Sequence, residues 1–240
     1  MRILAGTSGF SYAPWKGSFY PEKLPSKQML AFYATQLPAV EINNSFYRMP
    51  KPADLTAWAD QTPDTFRFVL KAPKRISHVQ KLVESGSDVA RLGEVAAALG
   101  PKLGPVLIQL PPFLRVDAPR LRAFLAVLRE VAPRLSPAFE FRHASWFCEE
   151  VYAALSEAKA ALCIADDEKL TTPMVATAPW GYLRLRQEGY DDQALASWWD
   201  QVQKQSWSEA YVFFKHEDAG VGPRLAKAFL GLAGSPTPAP

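Results

Sequence analysis

The sequence predicts a single (β/α)8 barrel, and three observations lead to it. Eight short β-rich runs alternate with helical patterns along most of the 240 residues. This number of units fits a closed barrel, typically about 250 residues long, better than an open, doubly wound sheet of five or six strands. In most of the runs one parity is apolar while the other becomes polar toward the C-terminal end, where barrels of the TIM type keep their active sites.

The elements follow from these patterns. Strands are expected near residues 3–8, 39–45, 66–72, 105–110, 137–142, 161–166, 181–186 and 210–215. Helical periodicity predicts helices over residues 26–36, 52–60, 86–99, 118–131, 148–159, 191–205 and 222–233. Ser26 and Asp191 are candidate N-caps, and Gly100 is a candidate helix stop.

One crossover helix is missing from the pattern. Segment 167–180 is too short and too rich in Thr and Pro for a full helix, so we expect an irregular connection with at most one turn. Residues 1–233 are expected to form one barrel domain. The tail 234–240, GSPTPAP, has the composition of a disordered end.

Composition narrows the class of protein. The 27 basic and 24 acidic side chains give a net charge of +3, too small to predict nucleic-acid binding without a clustered basic face. The two cysteines, Cys148 and Cys163, lack metal-ligand spacing, and the start MRILAGTSG lacks the long apolar stretch of a secretion signal. We therefore expect a reduced, cytoplasmic protein. No apolar run approaches the ~20 residues needed to cross a bilayer, so no membrane partner is expected.

The polar parity of the strands defines the candidate site. The side chains expected at the barrel mouth are Glu41, Asn43, Lys71, Gln109, Glu140, Arg142, Asp166, Arg184, Arg186 and Lys215. Five of them are basic and three are acidic, which favours an anionic ligand such as a phosphate or a carboxylate. The alternative is a network of ion pairs that neutralise one another and only hold the loops.

Several motifs also resemble a known family. They are GTSGFSYAPWKGSFYP, VEINNSFYRMP, FVLKAP with ISHVQKL, GPVLIQLPP, FEFRHASWF and IADDEK, in this order. Together they resemble the DUF72 (YecE-like) family of uncharacterised proteins, from Gly6 to about Phe229. The resemblance implies a TIM-type barrel and no established activity. Two places differ from the pattern of many members: Arg184-Leu185-Arg186-Gln187, where a His-Gly pair often follows the Arg, and Lys215-His216, where Asn is common.

The loops after the strands add rings and positive charge. Aromatic residues that could stack on sugars or bases, or simply pack the loops onto the barrel, are Phe10, Tyr12, Trp15, Phe19, Tyr20, Phe46, Tyr47, Trp146 and Phe147. The loop 71–81 contains four basic residues and His78, and it either faces a phosphate or is solvated surface.

Neither a metal nor another cofactor is expected. His78, His143 and His216 show no HxH or HExxH spacing, although Glu41, Glu140, Asp166 and His143 could bind a hard divalent ion. Neither GxSxG nor a Walker-type GxxxxGK[ST] occurs, which argues against a lipase-like hydrolase and a P-loop NTPase. Lys71 or Lys215 could form a Schiff base, although a lysine beside acids is more often an ion-pair partner.

These observations favour an enzyme that acts on a small anionic sugar- or nucleotide-like compound. Its reaction class is open, with hydrolase, lyase or isomerase chemistry favoured over redox. Glu140 or Asp166 is predicted as the general base, with Glu41 as a further catalytic candidate and Lys71 stabilising charge. The predicted substrate-binding residues are Asn43, Tyr47, His78, Gln109, Arg142, Trp146, Arg184, Arg186 and Lys215. A nucleic-acid-binding protein and a non-catalytic binding module remain alternatives, and the oligomeric state is open.

Overall fold

A closed ring of parallel strands organises the fold in the computed structural model, which describes residues 1–215 and 218–234. The strands are β1 (Arg2–Ser8), β2 (Ala39–Ile42), β3 (Arg67–Lys71), β4 (Leu103–Gln109), β5 (Pro137–Glu140), β6 (Ala161–Asp167), β7 (Leu170–Thr171), β8 (Trp180–Leu185) and β9 (Glu209–Phe214). Hydrogen bonds join β1 through β6 in order, then β6 to β8, β8 to β9, and β9 back to β1. The predicted eight-stranded barrel is confirmed, with β7 as an extra strand outside the ring.

Within the described residues, six α-helices lie between strands and a seventh follows β9. They are α1 (Met29–Gln36), α2 (Pro52–Asp60), α3 (Gly86–Ala96), α4 (Ala118–Val131), α5 (Glu149–Glu157), α6 (Asp192–Gln203) and α7 (Val221–Leu232). In the described residues, each lies within or close to a range predicted from the periodicity. None of them is long and apolar enough for a bilayer span.

The predicted helix ends are partly correct. The Asp191 carboxylate accepts a hydrogen bond from the Ala194 N–H at 2.8 Å and caps α6, as predicted. Ser26 is not the cap of α1, because residues Ser26–Gln28 wind as a 3-10 turn and the α-helix begins only at Met29. After α3 the chain continues as 3-10 turns over Ala97–Lys102, and Gly100 interrupts them with a φ of 54°.

The connection between β6 and β8 is irregular, as predicted. No helix occurs in it, and the short strand β7 pairs antiparallel with the end of β6, with Asp166 opposite Thr171. The Thr177 hydroxyl then accepts from the Leu162 N–H and donates to the Ala160 carbonyl, which fastens the connection to the start of β6. The predicted tail begins at Gly234, and its residues 235–240 lie outside the described residues.

The two faces of the strands form separate apolar layers. The outward faces, including Phe68, Leu70, Phe139 and Phe141, pack under the helices. The interior of the barrel is filled by Leu4, Ala39, Val69, Leu107, Ala138, Ala161, Cys163, Tyr182, Tyr211 and Phe213. Small alanines from β2, β5 and β6 leave room for the rings from β8 and β9, so the interior is packed. The inward side chains that follow these residues, closer to the C-terminal ends of the strands, lie directly above this apolar layer.

A substitution at Gly6 tests the packing of β1 against β2. A Cβ atom at this position would lie 1.9 Å from the Ala39 carbonyl oxygen, so the two strands would have to separate. We expect Gly6→Ala to lower the free energy of unfolding by about 3 kcal/mol or more, measured by urea denaturation. The control is Gly231→Ala in α7, where no atom lies within 4 Å and a gain of roughly 0.5–1 kcal/mol is expected. Equal stabilities of the two variants would contradict the described strand spacing.

Candidate functional site

Arg184, on the inward face of β8, lies at the centre of a buried ion cluster at the C-terminal end of the barrel. Its side chain is 2% exposed. Its Nη1 lies 2.5 Å from Glu140 Oε2 on β5, and its Nη2 lies 2.8 Å from Glu41 Oε1 on β2. Both carboxylates are fully buried. One guanidinium therefore joins three strands of the ring across the barrel axis.

Arg142 and Arg186 form the upper part of the cluster, each with a side chain 18% exposed. Glu140 Oε1 is in ion-pair contact with Arg142 Nη2 and lies 3.6 Å from Arg186 Nη1. Asp167 Oδ2 lies 3.1 Å from Arg142 Nη1 and 3.4 Å from Arg186 Nη1. Three arginines thus alternate with three carboxylates from the barrel interior toward the mouth.

Two neutral side chains complete the inner end of the cluster. The Ser8 hydroxyl donates to Glu41 Oε1 at 2.7 Å, and the Tyr182 hydroxyl donates to Glu41 Oε2 at 2.6 Å. Sequence reasoning missed both residues. Ser8 ends β1 on the same parity as Leu4, and Tyr182 shares the parity of Arg184 on β8, so the inward direction of both side chains was detectable from the sequence. Gln109 Oε1 lies 3.5 Å from Arg184 Nη1, which places Gln109 in the cluster as predicted from parity.

The structure corrects the position of Asp166. On β6 the inward parity runs through Ala161 and Cys163, so Asp167 and not Asp166 extends it to the mouth. Asp166 instead accepts hydrogen bonds from the Tyr190 hydroxyl at 2.5 Å and from Gln187 Nε2 at 2.7 Å. The prediction that Asp166 joins Glu140 at the mouth was therefore wrong by one residue, and Asp167 takes the place assigned to it.

Lys71 ends β3 and differs electrostatically from the arginines. Its Nζ lies 4.4 Å from the centre of the Phe46 ring, and within the described residues no carboxylate oxygen lies within 4.0 Å of it. Burial lowers the pKa of Lys71 to about 8, and the positive charge of Arg184 adds to the shift. Lys71 is therefore the basic group of the site whose charge can change close to neutral pH.

The pKa values of the inner groups follow from their partners. Burial alone would raise the pKa of the Glu140 carboxyl, but Arg184 and Arg142 outweigh it and hold the pKa below its usual range. Burial, followed by the Glu41 carboxylate, raises the pKa of Tyr182 well above its usual range. Glu140 thus stays ionised, and Tyr182 keeps the proton that it donates to Glu41.

The remaining predicted site residues lie at different depths. Lys215 is exposed beside a cavity of about 340 Å³ that Asp167, Glu168 and Arg186 also line. His78 packs edge-on against Phe46 at 5.0 Å, and burial, with help from Lys71, lowers its pKa. Tyr47 is 81% exposed on the loop after β2. Asn43 follows β2, and its buried Oδ1 has no hydrogen-bond partner in the described part of the chain.

Trp146 does not reach the mouth as predicted. It is fully buried, stacks on Phe141 at 4.6 Å and donates from Nε1 to the Leu114 carbonyl oxygen. Its apolar ring fills the space between the loop and the outward face of β5, which is the packing role that the sequence also allowed for such rings. Trp15 and Tyr20, in the loop after β1, are also buried and stack on each other.

A second cavity of about 340 Å³ lies between α4 and α5, bordered by Leu125, Arg122 and Glu157. It does not touch the ion cluster and lacks the converging charges of the mouth, so we place the candidate site at the mouth. Over residues 1–215 and 218–234, no three His, Cys, Asp or Glu side chains are grouped so that they could hold a metal ion. His143 Nδ1 lies 2.8 Å from Ser145 Oγ, and His216 lies outside the described residues.

The chain resembles proteins of one family. A family model described as "Protein of unknown function DUF72" matches residues 4–240. The UPF0759 protein YunF of Bacillus subtilis is 30% identical over 56% of this chain and 50% of its own length. The UPF0759 protein YecE of Escherichia coli is 33% identical over 49% of this chain and 42% of its own length. The chain thus spans about half the length of these relatives.

A solved structure resembles the whole fold. The crystal structure of a DUF72 family protein from Thermotoga maritima has a TM-score of 0.83 and 26% identity, covering 98% of this chain and 100% of that one.

The stability of the cluster can be tested by removing one carboxylate. We expect Glu140→Gln to lower the free energy of unfolding by about 3–5 kcal/mol, because Arg184 and Arg142 lose a buried partner. The matched control is Glu157→Gln, whose exposed pair with Arg122 at 2.6 Å is expected to contribute no more than about 1 kcal/mol. If both variants lose the same free energy of unfolding in denaturant titrations, the buried cluster stabilises the fold no more than an exposed ion pair does.

The pH dependence of this loss has a definite sign. Because the pKa of Glu140 is lowered by folding, its ionised form stabilises the native state above the ordinary value of 4.5, and this contribution is lost as the pH falls below it. The difference between the parent and Glu140→Gln is therefore largest at neutral pH and shrinks under acid, as urea titrations at pH 7 and pH 3.5 would measure.

Proposed function

The chain belongs to the DUF72 family, and from this premise we propose an enzyme that binds a small anionic sugar- or nucleotide-like substrate at the barrel mouth. The observation that supports it is the excess of positive charge there. Arg142, Arg184, Arg186, Lys71 and Lys215 supply five basic groups, against the carboxylates of Glu41, Glu140 and Asp167. Glu168 at the rim of the cavity reduces the difference but does not remove it.

Unused hydrogen-bond donors support the same proposal. Within the described residues, the Nε groups of Arg142, Arg184 and Arg186 and the Nη1 group of Arg186 are buried without a hydrogen-bond acceptor. A buried donor without an acceptor costs about 1–3 kcal/mol. A phosphate or carboxylate bound beside Arg142 and Arg186 would supply oxygen atoms in a geometry that guanidinium groups recognise well. Glu140 Oε1 also lacks a hydrogen bond among the described residues, although Arg142 and Arg186 form ion pairs with it, so the support comes from the Nε groups.

The contacts also suggest a division of roles. Both oxygens of Glu140 contact arginines and its pKa is low, so as a base it would be weak, and holding Arg184 suits it better. Glu41 holds the same guanidinium from the other side. Lys71 is the candidate for transferring a proton or stabilising negative charge, because its pKa lies near neutrality. Such steps occur in hydrolase, lyase and isomerase reactions, which we favour over redox.

Calorimetric titration with ribose 5-phosphate and with ribose tests the anion site. We expect the phosphate ester to bind and ribose to bind at least tenfold more weakly, since each charged hydrogen bond contributes about 1.5–3 kcal/mol. Arg186→Met should weaken binding of the ester at least tenfold. The control, Arg129→Met on the exposed face of α4, should leave it unchanged. Equal affinities of ester and sugar, or no effect of Arg186→Met, would argue against the proposal.

A nucleic-acid partner is the second candidate, supported by exposed rings beside basic side chains. Tyr47 and Phe113 are exposed on the loops after β2 and β4, and Lys81 Nζ lies 5.3 Å from the Phe113 ring. Aromatic platforms with nearby cations are typical of single-strand binding.

Gel-shift titrations of an oligonucleotide at 50 and 200 mM salt separate the two candidates. Several lysine and arginine contacts to phosphates would make the affinity fall steeply with salt, by as much as 10³-fold or more. A single phosphate in the mouth predicts a shallow dependence. Tight oligonucleotide binding that falls steeply with salt would favour the second candidate over the first.

A further inference from the structure

We propose that the side-chain amine of Lys71 is a nucleophile that forms a Schiff base with an aldehyde or ketone group of the substrate. This inference rests on the proposed function and narrows its substrate class to carbonyl-bearing sugar phosphates or sugar acids. Lys71 is the last residue of β3, at the end of the barrel where the ion cluster lies, and its Nζ faces the Phe46 ring at 4.4 Å.

A comparison with the buried Lys102 shows how the surroundings of Lys71 differ. Lys102 donates hydrogen bonds to the carbonyl oxygens of Ala59 and Thr62 at 2.7 and 2.6 Å, and its Nζ lies 3.6 Å from an Asp64 carboxylate oxygen. These contacts satisfy its ammonium group, so Lys102 has a structural role. Among the described residues, the Lys71 amine has neither a hydrogen-bond acceptor nor a carboxylate within 4.0 Å. The cation–π contact with Phe46 is therefore the one structural interaction of the Lys71 amine within the described part of the chain, and it is weaker than the set of contacts that holds Lys102.

The charge balance of the cluster favours a neutral amine. Arg142, Arg184 and Arg186 are matched in number by Glu41, Glu140 and Asp167, so no carboxylate is left over for Lys71. The charged groups that act on it are Glu41 from β2, Glu140 from β5, Arg142 from the loop after β5, Arg184 from β8, and His78 from the π-helical turn after β3. Burial, the largest effect, and Arg184 lower the pKa to about 8. At pH 7 roughly a tenth of the amine is then neutral, about 300-fold more than for a solvated lysine.

The proposed step needs no reactant other than the carbonyl compound and one proton from solvent. The lone pair of the neutral amine attacks the carbonyl carbon, the carbonyl π electrons move to oxygen, and a proton passes from nitrogen to that oxygen, which gives a carbinolamine. The hydroxyl group then takes up a proton from solvent and leaves as water, and a protonated imine remains. Neutral amine, carbonyl and one proton are thus converted into protonated imine and water without any change of oxidation state. The cationic imine can accept electrons from the adjacent carbon when that carbon loses a proton, a step common to lyase and isomerase reactions.

His78 is placed to assist the proton transfers. Its ring packs at 5.0 Å against the same Phe46 ring that Lys71 contacts. Burial and the neighbouring Lys71 lower the pKa of His78, so at pH 7 its imidazole is mostly neutral and can accept a proton. Arg142 and Arg186, which we propose as the anion site, border the same mouth. The anionic group of a substrate would bind Arg142 and Arg186, and its carbonyl group would react with Lys71.

Reductive trapping tests the inference directly. The 240-residue protein is incubated with glyceraldehyde 3-phosphate and sodium cyanoborohydride, and modified lysines are mapped by peptide mass spectrometry. We expect modification mainly at Lys71, with a rate that rises with pH around a midpoint near 8. Neutral glyceraldehyde should modify Lys71 at least tenfold more slowly. Comparable modification of Lys71 and solvent-exposed lysines such as Lys23 and Lys27, or a midpoint above pH 10, would overturn the inference.

The matched variant is Lys71→Arg, which keeps the positive charge beside Phe46 but has no nucleophilic amine. We expect it to lose the specific adduct while still binding ribose 5-phosphate within a few-fold of the parent. Thermal unfolding of Lys71→Arg and Lys71→Met checks that the fold is kept. If the parent binds the phosphate ester but traps no carbonyl compound at Lys71, the inference fails and the proposed anion site stands. If the phosphate group confers neither binding nor faster trapping, the proposed function itself fails.

Discussion

The buried guanidinium of Arg184 is the interaction on which the mouth of this barrel depends. Burying one ion costs several kcal/mol before pairing offsets it, so Arg184 is tolerated only because Glu41 and Glu140 approach from β2 and β5. Those carboxylates need further partners, which Ser8, Tyr182 and Arg142 provide. Arg142 in turn pairs with Asp167, which also pairs with Arg186. Asp167 and Arg186 line the cavity that opens to solvent at the mouth. The geometry of the mouth is therefore fixed from the inside outward.

Much of this arrangement could be predicted from residue patterns. Alternation along Phe139, Glu140, Phe141 and Arg142 indicated which side chains face the interior. The prediction that the polar parity of a strand faces inward and the apolar parity faces the helices is correct for β2, β3, β4, β5, β8 and β9. It failed on β6, where two adjacent aspartates end the strand and only the apolar residues before them fix the register. Tyr182 escaped prediction because a long-range contact across the barrel gives its hydroxyl a partner. Trp146 was misplaced because loop packing depends on shape, which the sequence pattern does not encode.

The basic residues of the mouth are of two kinds, which differ in how readily they lose their charge. The arginines hold fixed forks of donors, stay charged when buried and suit the ion cluster. Lysine readily loses its proton when burial and positive neighbours disfavour the charge, and Lys71 is placed where both act. Substituting one type for the other would preserve the net charge and change the chemistry. The distribution of Lys and Arg around the mouth therefore determines its electrostatic properties.

Closure of the ring between β1 and β9 has a consequence for synthesis of the chain. Arg2 pairs with Glu209, so the first strand has only one neighbour until almost the whole barrel has been translated. Glu41 and Glu140 also leave the ribosome before Arg184, which means that the growing chain holds two carboxylates destined for burial without their shared cation. Burial of these two acids is costly until β8 supplies Arg184, so formation of the complete ion cluster depends on synthesis of nearly the whole chain.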